Sequence, residues 1–400
     1  MKKIKFILTF FLLLIFYIYI TFITFFPNNI VLIDGESVKY RKPLGIEILE
    51  VSEASSKNIN SSKLEITLFG KIKLKDTSVT KIKNSQVVPV GKIIGLKLYT
   101  NGVLVVGTSE IEDTDKILNK PYENADIKSG DTILKINNEI IENIEELKKI
   151  VNNSEGKTLN MTIFRNGSII NTDIKPIQIS KEEYQIGLWV KDAATGVGTM
   201  SFYVPDTKEF GILGHGITDI DTNNLINIDS GELVTAKIIS LKKATIGKPG
   251  EIKGTIINSQ TIGEITKNTQ FGVYGKLNNI TALNIDSSKA IDIAFRDEIE
   301  EGNAKVLCSF NENNIVKEYD IEIEKIYKEN DYNNKSMLIK ITDENLLKET
   351  GGIIRGLSGA PIIQNGKFVG AITNVLVSDP TVGYAIFADL MLKELNKSID

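Results

Sequence analysis

The chain has 400 residues, 42% of them hydrophobic and 24% charged, with a formal net charge of -4, one cysteine and one histidine. That length and balance suit two or three packed domains, and an acidic chain with no basic stripe excludes nucleic acid as an expected partner. One Cys and one His cannot build a zinc site of nitrogen and sulfur ligands, so no metal and no cofactor is expected.

Lys2, Lys3 and Lys5 precede an uncharged apolar run from Phe6 to Phe26. As a helix that run of about 21 residues is roughly 31 Å long, against about 30 Å of hydrocarbon in a bilayer. The lysines place the N-terminus in the cytoplasm. No small-x-small cleavage site follows, which favours a retained anchor over a removed signal peptide. Residues 1–26 are therefore expected to be a transmembrane signal-anchor, and 27–85 a β-rich linking region. In that region Leu64 to Gly70 alternates as a strand, while Ser52 to Ser62 is rich in Ser, Asn and Lys and reads as an exposed loop open to proteolysis.

From Gln86 the pattern sharpens. Gly91 to Leu98 reads as a turn running into a strand, and Gly102 to Gly107 as the next strand. A turn over Ala125 to Asp131 leads into the strand Thr132 to Ile136 and the turn Asn137-Asn138. Ile144, Leu147, Ile150 and Val151 have helical spacing, and the strand Leu159 to Phe164 ends at an Asn166-Gly167 hairpin turn. Residues 86–177 thus resemble a PDZ domain (α+β) of the bacterial, HtrA-associated kind, most specifically at Ala125 to Asn137. The resemblance implies a carboxylate-binding turn at Ile93, Ile94, Gly95 and Leu96, whose amides would hold a peptide or protein C-terminus added as a strand.

Residues 178–400 read as mostly β, a barrel or sandwich of short strands with glycine turns. Cys308, in Val306-Leu307-Cys308-Ser309-Phe310, looks buried in a strand; no glycine or charged turn frames it as a nucleophile. Ser358 is framed differently, in Gly356-Leu357-Ser358-Gly359-Ala360-Pro361. Glycines there tolerate positive φ and close approach, so a serine can expose its hydroxyl while amides aim at a developing oxyanion. The hydroxyl needs a base, and His215, in Leu213-Gly214-His215-Gly216, is the only histidine available. Each signal is weak alone: a Gly-x-Ser-Gly string is usually an ordinary turn.

Gly356 to Lys367, Gly196-Val197-Gly198-Thr199 and Gly214 to Asp219 together resemble the stage IV sporulation protein B (SpoIVB) peptidase family, as does the order of anchor, PDZ domain and peptidase domain. The resemblance implies a chymotrypsin-like β-barrel peptidase domain over 178–400, with Ser358 as nucleophile, His215 as general base and Asp343 as the third member. Oxyanion donors would be the amides of Gly356 and Ser358. It further implies cleavage of a membrane-associated regulatory protein at the pro-sigma-K checkpoint of sporulation, with self-cleavage near the N-terminus. The catalytic domain would be forespore-secreted and lie outside the cytoplasm, in the space between membranes, and the PDZ groove would regulate it. Two other readings remain open on the residues alone: a catalytically inactive PDZ-type signalling adaptor, and a structural protein of the cell envelope.

Overall fold

The computed structural model describes residues 2–26, 29–33, 44–51, 61–82, 86–328 and 333–396. It begins with helix α1 (Lys2–Phe25) and a four-stranded sheet of β1 (Asn29–Ile33), β2 (Ile46–Val51), β3 (Ser61–Leu68) and β4 (Ile72–Ile82), in the order β1-β4-β3-β2. The strand expected at Leu64 falls in β3. Of the expected Ser52–Ser62 loop, 52–60 lie outside the described residues, and Ser61 and Ser62 belong to β3.

The expected transmembrane helix is overturned: among the described residues, no helix is long and apolar enough to cross a membrane. The end of α1 is engaged with protein instead. Tyr19 and Phe22 pack on the core of Phe26, Ile46, Leu64, Ile66 and Val79. Lys75 Nζ donates to the carbonyl oxygens of Ile23, at 3.0 Å, and Phe26, a cation where the helix dipole is negative. Exposed large apolar side chains lie on α1 between Ile7 and Ile20.

The next elements are β5 (Ile93–Thr108), β6 (Thr132–Ile136), α2 (Ile144–Asn153), β7 (Leu159–Arg165), β8 (Ser168–Ile174), β9 (Leu188–Val204), β10 (Glu209–Ile212), β11 (Ile228–Lys242), β12 (Glu251–Thr269) and β13 (Gly272–Leu277). Strands β5, β11, β12, β13, β10 and β9 follow one another around a ring that closes where β9 pairs with β5. A second closed barrel holds β14 (Gly302–Cys308), β15 (Lys317–Ile326), β16 (Met337–Ile341), β17 (Pro361–Gln364), β18 (Lys367–Leu376) and β19 (Asp379–Phe387). Helix α3 (Glu344–Thr350) leads from β16 toward Ser358, and α4 (Ala388–Asn396) is the last described element. In β15 the alternation puts Tyr319, Ile321 and Ile323 inward, the period of a strand with one buried face. Phe202 of the first barrel meets Phe368 of the second with ring centroids 5.6 Å apart.

The PDZ-type layer is spliced into the first barrel. Strands β6, β7 and β8 extend from the far half of β5, with Val103 opposite Ile133, and α2 covers them through Leu147 and Val151. Local chemistry explains these pieces. Asn143 caps α2 by accepting from Glu146 N at 3.0 Å. Asn166 and Gly167 both hold positive φ, 49° and 81°, as a two-residue primed hairpin turn requires. Asp131, buried, accepts from Lys128 N at 2.8 Å and from Arg165 Nε at 2.6 Å, pinning the Ala125–Asp131 turn.

The sequence reading of Ile93, Ile94, Gly95 and Leu96 as a free carboxylate-binding turn is corrected here. All four lie in the near half of β5, with both edges occupied: Gly95 pairs with Val197 of β9 and with Val234 of β11. Their backbone is committed to the barrel ladder, and Ile93, Ile94 and Leu96 are buried. Packing dictates the glycine, since a Cβ at Gly95 would sit 2.8 Å from Val234 Cγ2. Residues 93–100 therefore serve the peptidase barrel, although they precede the PDZ layer in sequence.

Candidate active site

One barrel supplies His215 and the other Ser358. β10 ends at Ile212, and Leu213 and Gly214 both take positive φ (70° and 68°) to present His215. A Cβ at Gly214 would meet Ile386 Cγ2 at 2.9 Å and Thr373 Cγ2 at 3.0 Å, so the histidine loop presses against the second barrel. His215 Nδ1 lies 2.9 Å from the Gly216 carbonyl oxygen. With Nδ1–H donating there, Nε2 keeps its lone pair, the tautomer a general base needs. Burial holds the imidazole below its ordinary value of 6.5, the Gly216 carbonyl opposing the shift, so the neutral base is favoured.

The serine loop is fixed by its carbonyls. Arg355 O accepts from Ile252 N at 2.8 Å and Leu357 O from Ala360 N at 2.9 Å. In a trans peptide the N–H points opposite the C=O, so these bonds direct the amides of Gly356 and Ser358 the other way. Among the described residues, neither of those amides donates to any protein acceptor. Two adjacent free donors beside a serine are what an oxyanion site requires. The Ser358 hydroxyl itself donates to Thr373 O at 2.8 Å, at an irregularity between Ile372 and Asn374 where β18 slips register against β19. A cavity of about 580 Å³ is lined by His215, Gly356, Ser358, Arg355, Asn374 and an apolar wall that includes Val197.

The model of SpoIVB peptidase S55 matches residues 182–392, a span of 211 residues and so more than half of the chain. The chain belongs to the SpoIVB peptidase S55 family. A PDZ domain model matches residues 94–175. A "probable periplasmic serine endoprotease DegP-like" of Bartonella henselae is 25% identical over 155 residues, covering 36% of this chain and 30% of the relative, so the match spans less than a third of that relative's length. Among solved structures, the HtrA-type protease AlgW with decapeptide aligns at 9% identity over 76% of this chain and 63% of that one, TM-score 0.29. The PDZ domain of an SdrC-like protein from Listeria monocytogenes aligns at 21% identity over 23% of this chain and 90% of that one, TM-score 0.19.

The cavity brings together Ser358, His215 and Gly356 but not Asp343, which is absent from its lining. Asp343 instead caps α3, its Oδ1 accepting from Leu346 N at 2.9 Å and its Oδ2 from Asp320 N at 3.5 Å. A cap needs an acceptor and not a charge. Asp343→Asn is therefore expected to keep both melting temperature and turnover, while Asp343→Ala loses about 1 kcal/mol of stability. Unchanged melting with lost turnover in Asp343→Asn would instead return that carboxylate to the imidazole through a rearrangement.

The structure also shows a groove that the sequence reading missed. It holds about 510 Å³ between α2 (Ile144, Lys148, Asn152) and the stretch Tyr184 to Val190. One edge of Leu188–Val190 pairs with β5, and the other carries no strand among the described residues. The signal was present: Ile186-Gly187-Leu188 repeats the aliphatic-Gly-aliphatic pattern of Ile94-Gly95-Leu96, and only the second copy lies beside the helix.

Proposed function

We propose that this S55 chain is a serine endopeptidase whose PDZ groove binds an extended peptide or a protein C-terminus. The observation that carries the reading is the cavity shared by the only histidine, Ser358 and the two undonated amides. In the first step the Ser358 hydroxyl leaves Thr373 O, gives its proton to His215 Nε2, and attacks the substrate carbonyl. The developing oxyanion takes the amides of Gly356 and Ser358. The imidazolium then protonates the leaving amine as the C–N bond breaks, and water repeats the sequence on the acyl-enzyme. The bond from Ser358 to Thr373 is what favours the alternative, an inactive PDZ adaptor. Labelling with a fluorophosphonate, mapped by mass spectrometry, decides between them. Modification at Ser358 supports the peptidase, and an unlabelled folded protein refutes it.

Family membership supports the finer reading: a catalytic domain outside the cytoplasm, between membranes, that cleaves a membrane-associated regulatory protein at the pro-sigma-K checkpoint and also cleaves itself. At the groove, a peptide would add as a strand to the open edge of Leu188–Val190, with side chains against α2. Ile144→Glu places a charge on that half-buried wall and is expected to weaken binding of C-terminal peptides tenfold or more by fluorescence anisotropy. Fluorophosphonate labelling of Ser358 should continue at the same rate. Unchanged peptide affinity would remove the groove from the binding role.

A further inference from the structure

Resting on the peptidase reading, we infer that Thr199 is the positioning residue that locks the oxyanion loop and registers it against the histidine loop. Thr199 is wholly buried on β9, at the end of the Gly196-Val197-Gly198-Thr199 stretch. Four consecutive carbonyls run through the serine loop. Arg355 O and Leu357 O are held by backbone amides, as described, and Ser358 O accepts from Thr199 N at 3.3 Å. The remaining one, Gly356 O, accepts from a side chain, the Thr199 hydroxyl, at 2.6 Å. Gly356 sits at φ 104°, where rotation of the following peptide is least restrained by its own sterics. The hydroxyl therefore holds the carbonyl side of the Gly356–Leu357 peptide, whose amide side is tied by Leu357 N donating to Ile354 O at 3.1 Å, and this peptide lies between the two residues whose amides face the oxyanion.

The same residue reaches the base. Thr199 O accepts from Leu213 N at 3.2 Å, two residues before His215. Gly359 lies against that junction, since a Cβ on it would come within 2.2 Å of Thr199 O and 2.6 Å of Leu213 N. Three hydrogen bonds from one threonine thus span the nucleophile loop and the base loop. Loss of the hydroxyl leaves the Gly356–Leu357 peptide held only through Leu357 N to Ile354 O, so its carbonyl can tilt, and the effect belongs to the transition state, where the oxyanion forms, more than to substrate binding.

Thr199→Val keeps the shape and removes the donor. With fluorescein-labelled casein as substrate, its kcat is expected to fall tenfold or more while KM stays within twofold. The rate of fluorophosphonate labelling should fall by the same factor. Thr199→Ser restores the hydroxyl and should return kcat to within threefold of wild type. Wild-type kcat in Thr199→Val, or an equal loss in Thr199→Ser, would overturn the assignment. Should Thr199→Val not fold, Thr199→Ala against Thr199→Ser decides on the same readouts. Unfolding of both hydroxyl-free variants beside a folded Thr199→Ser overturns it by making the hydroxyl a requirement of folding. A wild-type protein that neither turns over casein nor is labelled at Ser358 overturns this assignment together with the peptidase reading. A labelled wild type matched by Thr199→Val overturns the positioning role alone.

Discussion

Ser358→Ala is expected to reduce peptide hydrolysis roughly 10⁴- to 10⁶-fold, the range seen when a nucleophile acting in concert with its base is removed. The fold should survive, because the hydroxyl makes one hydrogen bond among the described residues, to Thr373 O, worth about 1 kcal/mol. His215→Ala should lose as much activity, since the chain has no second imidazole, and combining the two should cost little more than either alone. The base also sets the pH profile. Burial lowers its pKa from 6.5, so neutral His215 persists into more acidic solution and the acid limb of kcat/KM should lie below 6.5. The linked stability effect has the same sign. Protonation is penalised in the folded state, so stability is full above 6.5 and declines as pH falls from there toward the folded value. A limb at or above 6.5 in the wild type would mean that a carboxylate has joined the imidazole.

Gly359→Ala should give the largest loss of stability in the site, about 3–5 kcal/mol when left-handed backbone strain and forced repacking are added. Gly359 holds φ 95°, and the new methyl would lie 2.2 Å from Thr199 O, a backbone atom with no rotamer to yield. The nucleophile loop must move away from the histidine loop, so turnover should fall along with a drop of roughly ten degrees in melting temperature. Gly366→Ala is the control. It also has positive φ, 74°, but a Cβ there meets nothing within 4 Å, so about 1 kcal/mol and near wild-type activity are expected. Equal melting temperatures for the two variants would contradict the packing described for Gly359.

Local signals were the legible ones. The spacing of Ile144, Leu147, Ile150 and Val151 returned α2, and Asn166-Gly167 returned the β7–β8 hairpin. The glycines around Ser358 and His215 marked loops that the barrels bring to one cavity. What failed depended on distant partners. The runs at 93–98 and 102–107 read as two strands because Gly102 interrupts them. Its φ of 90° is a kink within one strand, forced by Ile133 O, 2.4 Å from where a Cβ would be. Nothing local marks that the near half pairs with Val197 and Val234. Asp343 precedes a helix as either a cap or a catalytic acid would, and the spatial answer needed Leu346 N. Helix α4 escaped because it is short, nine residues, and its buried Leu390, Met391 and Leu392 are consecutive, a run that reads as strand as readily as helix. Hydropathy of the N-terminal run could not reveal that Tyr19 and Phe22 dock on a sheet.

Because β5 begins the first barrel and its partner β9 arrives only after the PDZ layer, Ile93 must await Thr199, about 100 positions later in synthesis. At roughly 5–20 residues per second on the ribosome, the apolar start of β5 spends about 5–20 s without its ladder, while the PDZ layer, built of nearer contacts, can already form. That layer would then act as a clamp, holding the two ends of the insertion close and shortening the loop that barrel closure must pay for in entropy. Excising residues 86–177 would delete a barrel stave along with the peptide-binding module, so the cut that spares the barrel has to leave residues 93–100 in place.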